Sequence, residues 1–80
     1  MFKVYVLKRE RGRSNAIEET KTSTPSRDAA LAAWRDLHDQ PFEPGHVLIL
    51  SRNGQRIAGH LFGSSPTDPS YVPRDLTIPE

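Results

Sequence analysis

Eighty residues, eleven basic and ten acidic side chains, a net charge of +1 and no cysteine bound one small domain that rests on packing alone, with neither a disulfide framework nor a thiolate zinc site. The near balance of charge argues against a general nucleic-acid binder, whose domain carries a strong positive excess, and leaves only local basic patches. No apolar stretch approaches the roughly 18 residues of a membrane span, and the opening MFKVYV reads as a strand and not as a signal peptide. The expected location is therefore the cytoplasm, whose reducing conditions suit a chain without cysteine. Eight arginines stand against three lysines, a bias that points to a bacterial or phage source.

The first segment, FKVYVLKRE, alternates Phe2, Val4 and Val6 with Lys3, Tyr5 and Leu7, the period of a strand with apolar surface on both faces. Gly12 supplies a residue free to take positive φ, and the polar β-capable run NAIEETKT follows, so residues 2–22 predict a hairpin with a weak second strand at the sheet border. The charges of Glu18, Glu19 and Lys21 there discourage edge-to-edge pairing.

STPSRDAALAAWRDLHDQPFEPG predicts a helix from Arg27 to Asp39. Ser26 or Thr24 can accept from the unpaired amides of the first turn, Asp28 suits the positive end of the dipole, and Pro41 and Pro44 close the far end. Ala30, Ala33, Trp34 and Leu37 fall on one stripe, with Asp28, Arg35, Asp36 and Asp39 opposite. The alanines allow close approach to a sheet, and the Trp34 N–H needs a partner at the margin.

Asn53-Gly54 between HVLILSR and QRIAGHLF predicts a type I′ hairpin, because both central residues of that turn need positive φ. Taken as a two-residue loop, it pairs Arg52 with Gln55, Leu50 with Ile57, Leu48 with Gly59 and Val47 with His60. This register places Leu48, Leu50, Ile57, Gly59 and Leu61 under the helix. It places Val47, Ile49, Ala58, His60 and Phe62 on the opposite face. Residues 64–80 hold four prolines and no sustained period, so the chain divides into an α/β domain over 1–63 and an extended Pro-rich tail over 64–80. Tyr71, Val72, Leu76 and Ile78 give that tail side chains able to dock.

The resulting fold class is α+β, in ββαββ order: a four-stranded antiparallel sheet, order 2-1-3-4, with one helix on one face. That topology puts the Lys8, Arg9, Arg11, Arg13 turn and the Arg52, Arg56 turn at opposite ends of the sheet, so they form no single patch. Val47, Ile49 and Phe62, with His60, lie on the uncovered side and make an apolar area that the tail, a second copy or another protein would cover.

No phosphate loop, Gly-x-Ser-x-Gly elbow, His-Glu-x-x-His pair or calcium loop is present. In the inferred register His46 and His60 point to opposite faces and His38 sits on a helix flank, so no two histidines converge for a metal. The expectation is no catalysis and no cofactor. In size, strand order and lack of a site the chain resembles small phage or mobile-element proteins that act as compact binders, including inhibitors of host defence. The reading is thus a small non-enzymatic protein-binding module, an inhibitor or accessory protein, monomer or homodimer, with candidate contacts at Val47, Ile49, Phe62, His60, Arg9, Arg11, Arg13, Arg52 and Arg56. The alternative is a nucleic-acid-binding domain using the basic hairpin turn; a mobile basic loop can cross a phosphate backbone.

Overall fold

A computed structural model describes residues 1–10 and 12–78. One helix lies on one face of a five-stranded antiparallel sheet. The strands are β1 (Phe2–Glu10), β2 (Arg13–Ala16), β3 (Thr22–Thr24), β4 (Val47–Arg52) and β5 (Gln55–Leu61), and the helix α1 (Arg27–His38) follows β3. The sheet order is β2-β1-β4-β5, with β3 also paired to β1. The expected four strands in order 2-1-3-4 are thereby corrected: the second strand is two short pieces on the same side of β1. Six residues from Ala16 to Thr22 span only three of β1, from Leu7 to Val4, and a 3-10 turn, Glu18–Thr20, takes up the excess. Within it the buried Thr20 turns inward. Its Oγ1 accepts the Val6 N–H at 2.9 Å and donates to the Ile17 carbonyl at 2.6 Å, replacing the rung that the missing strand residues would have supplied.

The helix forms where capping and stripe agree. Ser26 Oγ accepts from the Ala29 N–H at 3.2 Å, and Thr24 Oγ1 accepts from the Ser26 N–H at 3.1 Å, so both candidate residues shape the entry; a cap of the Ser26 kind contributes about 1 kcal/mol. Asp39 is the C-cap. Ala30, Trp34 and Leu37 are buried against Phe2, Val4 and Val6 of β1 and Leu48 and Leu50 of β4.

The Asn53-Gly54 turn has the expected positive φ at both residues, 51° and 84°, and Arg52 pairs with Gln55. Beyond Ser51↔Arg56 the register departs from expectation. Leu50 pairs with Ala58, Leu48 with His60 and Val47 with Leu61, because a bulge leaves Ile57 as an extra residue on β5. One extra residue exchanges the faces of everything after it. Ala58, His60 and Phe62 therefore turn to the helix side, where Phe62 and His60 are buried, while Gly59 and Leu61 turn away and Ile57 is 40% exposed. The assignment of Ile57, Gly59 and Leu61 to the helix side, and of Ala58, His60 and Phe62 to the open side, is reversed.

Residues 64–78 run past the end of β5 and then along α1. Leu61 N–H donates to the Ser70 carbonyl, Trp34 Nε1–H donates to the Pro73 carbonyl at 3.1 Å, and Ile78 is buried in the core. The tail thus covers the helix side and gives the Trp34 N–H its partner. It does not fold over Val47 and Ile49.

Candidate protein-binding surface

With Phe2, Val4 and Val6 in the core, strand alternation places Lys3, Tyr5, Leu7 and Arg9 on the opposite face of β1. Tyr5 pairs with Ile49 and Leu7 with Val47, and the bulge brings Arg56 and Gly59 of β5 to the same face. This open side is not the broad apolar area expected, since Val47 and Ile49 are only 8% and 2% exposed. Arg56 folds back along its own strand. A Cβ on Gly59 would lie 2.8 Å from the Arg56 Cζ, so the bare backbone of Gly59, the partner of Ile49, provides the seat for the guanidinium.

Two shallow hollows flank the ridge made by Tyr5 and Leu7. One, of about 370 Å³, has Leu7, Val47, Gly59 and Leu61 as its floor, Arg56 lying over Gly59, Arg9 at its rim and Pro69 and Ser70 as a wall. The other, of about 380 Å³, is lined by Lys3, Tyr5, Leu7 and Ala16 with Lys21 and Ser23. Lys21 is paired with Glu18 at 2.8 Å. Among the described residues no Asp or Glu lines either hollow, whereas Asp28 and Asp36 lie on α1, Asp39 caps its C-terminus and Asp75 lies on the tail beside it, where Arg35 approaches at 3.6 Å. The acids on the helix side stand among Arg27, Arg35 and Arg74 and are partly paired with them, whereas a basic rim over an apolar floor favours partners of the opposite sign. The guanidinium groups can take carboxylates in paired hydrogen bonds, and the floor can cover aliphatic side chains.

The predicted residues separate accordingly. Arg9, Arg56, Val47 and Ile49 come together on this face, with Val47 in the floor of the hollow and Ile49 buried. Arg52 lies at the other end of the sheet, its guanidinium 5.8 Å from the Phe2 ring centroid, and Arg13 pairs with Glu10 beyond the rim. Arg11 lies outside the described residues. Phe62 and His60 belong to the core on the helix side. The two arginine turns do stand at opposite ends, yet the side chain of Arg56 reaches back to share a hollow with Arg9, which strand positions alone did not indicate.

No family model, curated protein or solved structure matches this chain.

A second cluster went unseen in the sequence. His38 of α1 and His60 of β5 stack with centroids 4.2 Å apart, and Tyr71 meets the His60 ring edge-on at 4.8 Å. The expectation that no two histidines converge is overturned, because the bulge at Ile57 turns His60 toward the helix. Both rings hold one residue. His60 Nδ1 accepts the Val72 N–H at 3.1 Å, and His38 Nε2 donates to the Val72 carbonyl at 2.9 Å. Burial first, and the neighbouring His38 second, lower the His60 pKa from 6.5 to about 4. Further on, Arg74 binds both oxygens of Asp39 at 2.9 and 2.6 Å and holds that carboxyl below its ordinary value. The signal in the sequence was the pair Tyr71-Val72 in an otherwise polar, proline-rich run.

Proposed function

We propose that the protein is a small binding module, without catalysis of its own, that docks an acidic and partly aliphatic segment of another protein on the open face of its sheet. The observation that carries this reading is the pairing of Arg9 and Arg56 over a floor of Leu7, Val47 and Leu61 with no carboxylate among the lining residues. A helix and a docked tail occupy the other side, so the open face is the surface free to meet a partner. Inhibition or accessory action by contact alone fits such a surface, and a cytoplasmic setting fits a chain without cysteine.

Arg9→Glu together with Arg56→Glu tests it. Immobilised wild-type protein should retain a protein from a nuclease-treated bacterial lysate, and the double variant should retain at least about tenfold less, equivalent to about 1.4 kcal/mol. Equal capture by both proteins would refute the assignment of this face. Recovery of nucleic acid in place of protein, lost on nuclease treatment and steeply weakened by salt, would favour the reading through the basic hairpin turn.

A further inference from the structure

Val72 is held by two imidazoles from two different elements, and the two bonds differ in what they require. His38 Nε2 donates to a carbonyl, a bond that both the neutral ring with its proton on Nε2 and the charged ring can make. His60 Nδ1 accepts from an N–H, which only a ring without a proton on that nitrogen can do. Adding a proton to His60 sets an N–H against the Val72 N–H at a residue only 4% exposed, and places the new charge beside the His38 ring, whose centroid is 4.2 Å away.

We propose that residues 70–73 form a strap that is latched by neutral His60 and released when His60 takes up a proton, while the strap stays tethered further on by Arg74 and Asp39.

Its surroundings favour a local release. The titratable groups facing His60 are His38 from α1 and Tyr71 from the strap, β4 presents Leu48 opposite it, and among the described residues no carboxylate pairs with it. The charged ring thus gains no compensating anion. Asp39, held ionised to lower pH by Arg74, keeps the tether through the acid range in which His60 titrates. Release removes the Pro73 carbonyl from Trp34 Nε1 and the Ser70 carbonyl from Leu61 N–H. The inference stands apart from the reading of the sheet face, because its readout is the strap itself.

The measurement is an NMR titration of the wild-type chain from pH 8 to pH 4, following the backbone amides of Ser70, Tyr71, Val72, Arg74 and Asp75, the Trp34 indole and the His60 ring. With the His60 pKa lowered from 6.5 to about 4, the docking equilibrium should weaken by up to about 150-fold between pH 8 and pH 4, at up to tenfold per pH unit. Strap amides should move toward disordered positions together with the His60 ring signals, while amides of Val4, Val6 and Leu48 hold. His60→Asn keeps an acceptor where Nδ1 stood and removes the titration, so its strap should stay docked throughout. His38→Gln keeps a donor and should preserve the transition. Strap signals that stay fixed to pH 4 while the His60 ring titrates would overturn the proposal. So would loss of the core amides in the same step, or an unchanged transition in folded His60→Asn. Should His60→Asn fail to fold, the coincidence of ring and strap titrations in the wild type decides the matter.

Discussion

Replacing Thr20 by valine removes a single hydroxyl and keeps the shape of the side chain. Thr20 is 8% exposed, and its oxygen is the acceptor for the Val6 N–H. That amide faces the gap between β2 and β3, where no backbone carbonyl reaches it. Left unpaired, a buried N–H costs about 1–3 kcal/mol. The Ile17 carbonyl loses the hydroxyl proton but still accepts the Thr20 N–H at 3.0 Å, so its loss adds little. The extra methyl returns about 0.5–1 kcal/mol of apolar burial, for a net destabilisation of about 1–2 kcal/mol. Thr20→Ser keeps the hydroxyl and gives up only a methyl, about 1 kcal/mol or less. Urea unfolding at neutral pH reads both, because a domain of this size has a slope of about 1 kcal/mol per molar. The valine variant should unfold about 1–2 M earlier than wild type, with serine in between. A serine variant less stable than the valine variant would refute the claim that the hydroxyl completes the ladder and would leave Thr20 as ordinary packing.

Lowering the pH should destabilise the fold through His60. A folded pKa of about 4 against 6.5 when free gives a contribution fully present above about pH 6.5 and lost as the pH falls toward 4. The limit at pH 5 is about 2 kcal/mol, reduced by solvent screening near the strap, and thermal melts of wild type and His60→Asn at pH 8 and pH 5 should differ in slope accordingly. Gly54→Val should cost about 1–2 kcal/mol by forcing a β-branched residue to a φ of 84°, visible as a lower melting temperature. Gly59→Ala should displace Arg56 from its seat at a cost below about 1 kcal/mol, since the obstructing atoms belong to a flexible side chain. A double-mutant cycle with Arg56→Ala should show coupling between the two, and strict additivity would argue that Arg56 does not rest there.

The helix, its two capping residues and the Asn53-Gly54 turn were legible because each is encoded within a few neighbouring residues. Trp34 was recognisable as an anchor in need of an acceptor, although Pro73, which provides it, lies 39 residues away. The bulge at Ile57 was not legible, because both alternations of RIAGHLF carry enough apolar surface to face a core. The choice between them depends on Phe62 and His60 meeting α1 and the strap. The same limit hid the broken second strand, which depends on the Thr20 side chain entering the ladder, and the stacked His38 and His60. Of the candidate face, alternation assigns Val47 and Ile49 to the side away from the helix, whereas Arg9 reads only as part of the basic turn. The presence of Arg56 beside Arg9 required the bulge and a glycine under the guanidinium.

Arg56 lying over Gly59 also bears on the heat of binding. An occupant that pushes the guanidinium aside replaces a movable protein side chain, so less ordered water leaves the floor than on an unshielded apolar patch. Association should then show a modest negative change in heat capacity, and the freed arginine can turn from covering the hollow to gripping whatever has entered it.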